Sequence, residues 1–166
     1  MNSEFIKKAK LIKAVGTDID GVWTDAGMYY TSVGEQMKCF STYDGMGVQL
    51  LREKNIPTII LTSENSEIVL RRAEKLKIES VYINEKQKLN RMLEISKSLN
   101  ISMEEIAYIG DDLNDLELLQ KVGLSSMPSN SPILESFKPD YITKKSGGQG
   151  AFREFIDKII QAKNAN

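Results

Sequence analysis

The sequence contains no histidine, which removes several kinds of catalytic site at once. Without an imidazole there is no Ser-His-Asp or Cys-His catalytic group, no histidine-rich zinc site and no histidine general base. Any reaction must therefore use carboxylates, lysines, hydroxyl groups or a metal ion that oxygen atoms bind.

Cysteine is nearly absent as well, since Cys39 is the single one in the sequence. One cysteine excludes an internal disulfide, and its flanks show neither a C-x-x-C pattern nor the spacing of a metal site. We expect Cys39 to be a partly buried structural thiol.

An excess of charge of one sign is also missing, because the formal net charge is -1. A nucleic-acid or anionic-membrane partner would call for a basic patch, so neither partner is expected. No apolar run approaches the ~20 residues of a membrane span. Residues 1–10 carry three lysines but precede no apolar run of signal-peptide length, so we expect a cytoplasmic protein.

The composition is that of an ordinary globular chain, with 166 residues of which 41% are hydrophobic and 27% charged. This length suits one domain with a real core, and no repeat, low-complexity tract or linker interrupts it. We therefore expect a single domain over residues 1–166.

Short β-rich runs alternate with longer segments of helical period, which is typical of an α/β fold with a parallel sheet. Six candidate strands fall at residues 11–17, 58–62, 81–83 and 106–109 and, more weakly, near 124 and 141. Residues 58–62 are almost wholly apolar, as in a central parallel strand covered on both faces. The pattern predicts a Rossmann-like, three-layer architecture.

Helices are predicted between these strands from capping residues and apolar spacing. Asp44 is predicted to cap a helix to about residue 54, Ser66 a helix through 76, and a long helix spans about 85–99 with Leu89, Met92, Leu93 and Leu99 inward. Ser102 and Glu105 form a capping box for one short turn, and residues 152–160 are amphipathic.

Residues 28–40 break this alternation and predict a β-hairpin between the first strand and its helix. An insertion at this point lies over the carboxyl edge of the sheet. Ligands bind at that edge in open α/β folds.

Two carboxylates, Asp18 and Asp20, follow the first strand and project into the same crevice, while Ile19 points the other way. Paired acids without histidine suit a hard cation with oxygen ligands, and Mg²⁺ is the commonest such ion beside phosphates. An isolated D-x-D is also common on protein surfaces, so the position after an apolar strand carries the argument.

A second polar cluster follows the strand at 106–109 and consists of Asp111, Asp112, Asn114 and Asp115. Three acids gathered at one strand end repel each other unless a cation neutralises them. Helix capping by Asp112 or Asn114 is the alternative, but capping explains one acid rather than three. The two clusters together predict a metal site.

Two further pieces fit the same crevice. Thr62 ends the strand at 58–62, and Ser63 and Ser66 stand at a helix start, where backbone N–H groups attract phosphate. Lys88 lies near the start of the long helix, from which its ammonium could neutralise a bound phosphate, although most lysines are simply solvated.

The order D-x-D-G-V-x-T, then Thr after an apolar strand, then Lys, then G-D-D-x-N-D resembles the four motifs of the haloacid dehalogenase superfamily. The resemblance spans the whole chain and implies a Mg²⁺-dependent phosphomonoesterase. It assigns Asp18 as the nucleophile that forms an aspartyl phosphate and Asp20 as the acid/base. In that assignment Thr62 and Lys88 hold the phosphoryl group, and Ser63, at the helix start, is expected to bind it as well.

The same resemblance assigns the metal ligands. They are the Asp18 carboxylate, the Asp20 backbone carbonyl and Asp111, and Asp112 and Asp115 are supporting acids. This division is chemically sound, because a metal keeps Asp18 ionised while Asp20 stays free to carry a proton.

Within the superfamily the chain is similar to the small, capless group of 3-deoxy-manno-octulosonate 8-phosphate phosphatases and the related 9-phosphate phosphatases of nine-carbon sugar acids. The resemblance rests on TDIDGVWTDAGMYY, the hairpin, the turn at Asp44 and Gly45, and SGGQGAFREF. It implies a role in bacterial surface-sugar synthesis and a homotetramer in which a neighbouring subunit roofs the site. Asp44 and Gly45 are accordingly expected to contact substrate.

The substrate prediction rests on a few side chains. The eight-carbon enzymes usually have T-G-R after the second-motif strand and the nine-carbon group T-G-E, whereas this chain has Thr62, Ser63 and Glu64. Glu64 therefore favours the nine-carbon acid, with the eight-carbon acid as the alternative. Arg72 and Lys75, one helical turn apart, could bind the sugar-acid carboxylate, or they could form a solvated helix face.

A different class of protein is also considered, namely a receiver-type signalling domain that accepts a phosphoryl group beside Mg²⁺. A receiver needs no acid/base beside its phosphoacceptor, so Asp20 argues against this alternative. A catalytically inert subunit is disfavoured because every motif residue is present.

Overall fold

The computed structural model describes residues 3–165, which form six α-helices and eight strands. The helices are α1 Ser3–Leu11, α2 Thr42–Glu53, α3 Glu67–Leu76, α4 Lys88–Leu99, α5 Leu113–Leu119 and α6 Ala151–Asn164. The strands are β1 Ala14–Thr17, β2 Tyr29–Thr31, β3 Gly34–Met37, β4 Thr58–Leu61, β5 Ser80–Tyr82, β6 Ile106–Ile109, β7 Leu124–Met127 and β8 Tyr141–Ile142. A single 3₁₀ turn, Met103–Glu105, precedes β6.

Six strands form one parallel sheet in the order β5-β4-β1-β6-β7-β8. The three central strands, β4, β1 and β6, are fully buried, which explains their nearly unbroken apolar sequences. This confirms the predicted α/β, Rossmann-like fold.

Helices cover both faces of the sheet and form two apolar cores. One core joins α1, α2, α3 and α6 to the sheet through side chains such as Leu51, Val69 and Phe155. The other lies beneath α4 and α5, around Met92 and Leu118. Because both faces are covered, a ligand can approach the central strands only through the loops that follow their carboxyl ends.

The predicted hairpin is formed by β2 and β3, which pair antiparallel between β1 and α2 in sequence. The two strands are largely exposed, and Cys39, just after β3, is exposed rather than partly buried. The expectation for Cys39 was therefore wrong, because the hairpin stands away from the core and leaves its end accessible.

Several predicted helix boundaries are confirmed and others are corrected. Helix α3 follows Ser66, and the capping box of Ser102 and Glu105 is present. Helix α2, in contrast, is capped by the Ser41 hydroxyl, and Asp44 is buried within its first turn.

The start of α4 was also predicted too early. The Glu85 carboxylate accepts a hydrogen bond from the Gln87 backbone and pairs with Arg91, which holds residues 85–87 outside the helix. Leu93 and Leu99 are exposed, so the buried face of α4 contains fewer residues than predicted. The N-terminal helix α1 was not foreseen, and it takes Leu11 away from the first strand.

Within residues 3–165, no helix combines the length and the apolar character that crossing a membrane would require.

Candidate active site

The ends of three neighbouring strands define the candidate site. β1 lies between β4 and β6, and Asp18, Thr62 and Asp111 follow these strands at their carboxyl ends. The Asp18 backbone N–H donates to the Ile109 carbonyl at 3.0 Å, which continues the pairing of β1 with β6 up to the first acid. The crevice at a strand-order reversal is where parallel α/β sheets bind ligands.

An open cleft of about 360 Å³ covers these strand ends. It is lined by Asp18, Asp20, Ala26, Thr62, Ser63, Glu64, Asp111, Asp112, Leu113 and Asn114. Two acid clusters and the hydroxyl groups at the end of β4, which are far apart in sequence, thus share one cavity.

Three buried carboxylates meet at the base of the cleft. One oxygen each from Asp18, Asp111 and Asp115 lies within 4.8 Å of the other two. Lys88, at the first position of α4, reaches this cluster with Nζ 3.0 Å from Asp18 Oδ1 and 2.7 Å from Asp115 Oδ1. Its side chain is fully buried, so this ammonium offsets part of the negative charge at close range.

The Asp115 carboxylate is already engaged by the protein. Its Oδ1 accepts hydrogen bonds from Lys88 and from the Tyr108 hydroxyl at 2.6 Å, and its Oδ2 accepts one from the Asp111 backbone at 3.0 Å. Asp18 and Asp111 are less constrained and line the cleft. A metal ion in the cleft would therefore use Asp18 and Asp111, with Asp115 fixing the loop that carries Asp111.

The charge balance of this cluster favours a cation. Burial raises the pKa of Asp18 well above its usual range and the Asp115 carboxylate raises it further, although Lys88 opposes both effects. Burial and the Asp115 and Asp112 carboxylates raise the pKa of Asp111 to about 7. A divalent cation would stabilise the ionised forms of both groups, and the all-oxygen donor set suits a hard ion such as Mg²⁺.

Asp20 lies at the edge of the cleft and is held through one oxygen. Its Oδ1 accepts from Lys38 Nζ at 2.6 Å and from the Thr24 hydroxyl at 3.3 Å. The next residue, Gly21, has a φ of 92°, and a Cβ there would lie 1.9 Å from Asp111 Oδ2. The glycine thus lets the loop after β1 pass directly beside the second acid cluster.

Hydroxyl groups line the β4 side of the cleft. The Thr62 hydroxyl accepts a hydrogen bond from the Glu64 backbone at 3.2 Å, so this turn is closed by the side chain proposed to hold phosphate. The Ser63 hydroxyl accepts from the Asn114 amide at 3.0 Å, which joins the loop after β4 to α5.

Asp112 serves as the N-cap of α5, as one of the sequence alternatives had it, and its side chain is exposed. Its Oδ1 accepts from the Leu113 backbone at 2.7 Å. It lines the cleft without joining the buried triad, and its supporting role stays a prediction.

The glycine-rich segment before α6 packs against the loop that follows Asp20. The Gly148 backbone donates to the Val22 carbonyl at 3.1 Å, and a Cβ on Gly147 would lie 1.9 Å from the Gly21 carbonyl oxygen. This segment therefore supports the loop that carries Asp20 from outside the cleft.

Other residues predicted to contact substrate lie away from the cleft lining. Asp44 is buried in α2 and accepts from the Arg153 backbone, and Arg72 donates to the Ser41 carbonyl and lies beside Gly45. Lys75 is exposed on α3. One nitrogen of Arg72 is thus used by a neighbouring carbonyl, while its Nε is buried without a hydrogen-bond partner among residues 3–165. A substrate role for these four residues stays a prediction.

Two residues near the site were missed in the sequence. Lys38 follows the hairpin and contacts Asp20, and Tyr108 lies within β6 beneath Asp115. The sequence around Lys38 gives no indication that this lysine is buried, since most lysines are solvated. Tyr108 is the one polar-tipped side chain in the apolar run of β6, and a buried tyrosine hydroxyl usually needs a partner.

The fold and the acid cluster together define the class of protein. Residues 52–150 match the family of haloacid dehalogenase-like hydrolases, and the chain belongs to this family. It is a phosphoric monoester hydrolase.

The similar proteins are more specific. The chain is 35% identical to the 3-deoxy-D-manno-octulosonate 8-phosphate phosphatase KdsC of Haemophilus influenzae over 94% of this chain and 87% of that protein. The structure of the cobalt-bound form of the Haemophilus influenzae phosphatase superimposes with a TM-score of 0.90 at 35% identity, covering 94% of this chain and 91% of that one.

A third relative carries ligands. The crystal structure of the corresponding phosphatase from Moraxella catarrhalis, in complex with a magnesium ion, a phosphate ion and a KDO molecule, superimposes with a TM-score of 0.94. The two chains are 36% identical, and the match covers 99% of this chain and 94% of that one. Bound metal in two similar structures agrees with the buried acid triad found here.

Proposed function

We propose that this phosphatase removes the terminal phosphate of a 3-deoxy-2-keto sugar acid, with 3-deoxy-D-manno-octulosonate 8-phosphate as the first candidate. The observation that carries the proposal is that buried Asp18 lies close to both Lys88 and Asp111 at the base of the cleft. Similarity to octulosonate phosphatases over nearly the whole chain supports the choice of substrate.

Each group in the cleft has a role in this reaction. Asp18 attacks phosphorus, so that a bond from its carboxylate oxygen forms as the bond to the sugar oxygen breaks, and Asp20 gives its proton to that oxygen. Water then attacks phosphorus and gives a proton to Asp20. The bond between phosphorus and the Asp18 oxygen breaks, so phosphate is released and the Asp18 carboxylate is regenerated. Two carboxylates two residues apart thereby take different roles.

Charge neutralisation and positioning account for most of the catalysis expected in phosphoryl transfer. Lys88, Thr62 and Ser63 are proposed to hold the phosphoryl oxygens. The Asp18 and Asp111 carboxylates and the Asp20 carbonyl would hold Mg²⁺, which supplies further positive charge beside the transferring group.

A nine-carbon 9-phosphate is the second candidate, and Glu64 is the observation that favours it. Glu64 lines the cleft directly after the hydroxyl groups of β4. A carboxylate at this position accepts hydrogen bonds from sugar hydroxyls, whereas the arginine usual in the eight-carbon group would attract the sugar-acid carboxylate.

The test is phosphate release with Mg²⁺, comparing the eight-carbon 8-phosphate with the nine-carbon 9-phosphates at matched concentrations. The ratio of kcat/KM for the two kinds of substrate gives the preference, and it is measured for the wild type and for the Glu64→Arg variant. If Glu64 selects the nine-carbon acid, Glu64→Arg shifts the ratio toward the eight-carbon acid. Release from neither sugar acid, by protein that still hydrolyses p-nitrophenyl phosphate, would refute the substrate proposal.

A homotetramer built through the hairpin is part of the same proposal. Tyr29, Tyr30, Val33 and Met37 are all more than half exposed on β2, β3 and their turn, which is an unusual concentration of apolar surface. Burying this surface against other copies of the chain would explain it, and a neighbouring copy would then cover the open cleft.

Light scattering tests the assembly with a matched pair of variants. Tyr30→Glu is expected to lower the molar mass, while Leu93→Glu, an exposed apolar position on α4, leaves it unchanged. A wild-type protein with the mass of one chain would refute the tetramer.

A further inference from the structure

Lys38 has an unusual environment for a lysine in a hairpin. It follows directly after β3, and its neighbours Met37 and Cys39 are exposed, yet the Lys38 side chain is fully buried. Burying an ammonium is unfavourable unless it is paired and its donors are used. The position of Lys38 is therefore a specific arrangement rather than a solvated hairpin end.

Two carboxylates compensate this charge. Lys38 Nζ lies 2.6 Å from Asp20 Oδ1 and 2.8 Å from Glu35 Oε1. Glu35 is fixed in turn, because its Oε2 accepts a hydrogen bond of 2.6 Å from the hydroxyl of Ser66 at the start of α3. The ammonium is thus held between the hairpin carboxylate and the loop that carries Asp20, and Ser66 fixes the hairpin carboxylate.

The contacts to Asp20 are one-sided. Lys38 and the Thr24 hydroxyl both bind Oδ1. Oδ2 is buried and has no hydrogen-bond partner among residues 3–165, although Asp20 lines the cleft. A buried carboxylate oxygen without a partner is uncommon and points to a group that binds during function.

We propose that Lys38 is a positioning residue, which holds Oδ1 of Asp20 so that Oδ2 is the oxygen presented to the leaving group. The inference rests on the proposed function and deepens it. With Oδ1 occupied by an ammonium, a proton on Asp20 resides on Oδ2. The same oxygen gives the proton to the sugar oxygen as the phosphorus–oxygen bond breaks and receives one from the attacking water.

Lys38 acts through Asp20 and not on the substrate. Its side chain is absent from the lining of the cleft, and Asp20 and Glu35 already engage its ammonium. Loss of Lys38 should therefore alter the protonation of the leaving group and leave binding of the phosphoryl group nearly intact.

Leaving-group dependence provides the test. p-Nitrophenolate departs without a proton, whereas a sugar alkoxide requires one, so only the second reaction depends on a correctly oriented Asp20. Single-turnover rates with enzyme in excess are measured for p-nitrophenyl phosphate and for an alkyl phosphate that the wild type hydrolyses. The variants are Lys38→Met and Glu35→Gln, with Lys97→Met as a surface control.

For Lys38→Met we expect a loss of about 100-fold for the alkyl phosphate, the lower end of a general-acid contribution, and a loss below about 5-fold for the aryl phosphate. The enzyme concentration that gives half of the maximal single-turnover rate with the alkyl phosphate changes little. Glu35→Gln keeps Lys38 but weakens the ion pair that holds its ammonium. We therefore expect a smaller loss, which is again greater for the alkyl phosphate than for the aryl phosphate. This variant preserves the test if Lys38→Met does not fold. Lys97→Met behaves as wild type.

Equal losses for both leaving groups, or no loss for either, would overturn the positioning role. These outcomes differ from failure of the proposed substrate, which would appear as a wild-type protein that hydrolyses other alkyl phosphates but no sugar-acid phosphate.

Discussion

Lys88 Nζ lies 3.0 Å from Asp18 Oδ1, and both side chains are buried. The ammonium offsets the charge of the proposed nucleophile and of Asp115 within a cluster that holds three carboxylates. The stability of the metal-free protein should therefore depend on this one lysine.

Replacing Lys88 by methionine keeps most of the unbranched side chain and removes the charge. We expect a loss of about 3–5 kcal/mol in the free energy of unfolding without metal, because buried carboxylates are left uncompensated. Urea unfolding at neutral pH measures this loss. Lys86→Met, at an exposed position two residues earlier, should cost less than about 0.5 kcal/mol, and similar losses for the two variants would contradict the role of the buried pair.

Substitutions of the neighbouring acids Asp111 and Asp112 should distinguish metal binding from helix capping. Asp111→Ala is expected to abolish the rise in Tm that Mg²⁺ produces, since it removes a proposed ligand. Asp112→Ala should keep this rise and cost about 1 kcal/mol through loss of the α5 cap. Thermal unfolding with and without Mg²⁺ distinguishes the two variants. If Mg²⁺ still raised the Tm of Asp111→Ala as it does that of the wild type, Asp111 would not be a metal ligand.

Gly21 should be irreplaceable for a steric reason. In Gly21→Ala the new Cβ would meet Asp111 Oδ2, so the Asp111 carboxylate or the loop must move, and Mg²⁺ affinity is expected to fall. Gly34→Ala is the matched control, because Gly34 also has a positive φ but open space around a Cβ. It should cost about 1–2 kcal/mol from backbone strain and leave Mg²⁺ affinity unchanged. Calorimetric titration with Mg²⁺ compares them, and equal affinities would exclude the steric argument.

Asp44 should make stability depend on pH. Burial raises the pKa of Asp44 to about 6, although the hydrogen bond from the Arg153 backbone and the positive charges of Arg72, Lys145 and Arg153 lower it. When folding raises the pKa of an acid, the ionised acid destabilises the folded state. This loss of folding stability is absent below the unfolded pKa of 3.8 and complete above about 6.

The variant Asp44→Asn removes this titration and keeps an acceptor for the Arg153 backbone. As the pH rises from about 4 to about 7, the wild type should lose up to about 3 kcal/mol relative to Asp44→Asn. Chemical unfolding across this range measures the difference, which would be constant with pH if the carboxyl group titrated normally.

The strand ends could be predicted from the sequence for a simple physical reason. Central parallel strands are apolar on both faces, so the runs before Asp18, Thr62 and Asp111 were visible without a structure. Parallel strands end at one edge, which brings the residues that follow them together. The parallel sheet and the meeting of Asp18, Thr62 and Asp111 at one edge follow from these two facts.

Features set by tertiary contacts could not be predicted in this way. The burial of Lys38 depends on the hairpin folding toward α3 and Asp20, and no periodicity in the sequence encodes that contact. The commitment of Arg72 to the Ser41 carbonyl likewise depends on how α3 packs against the start of α2.

The central claim is that Asp18 accepts the phosphoryl group, and trapping the intermediate tests it most directly. The Asp20→Asn variant, which should keep its fold and its Mg²⁺ site but lose turnover, is mixed with radiolabelled p-nitrophenyl phosphate and Mg²⁺ and quenched in acid. We expect label that hydroxylamine releases, on the peptide that contains Asp18, and no label in an Asp18→Asn variant. Label on another peptide, or full turnover by Asp18→Asn, would contradict the account.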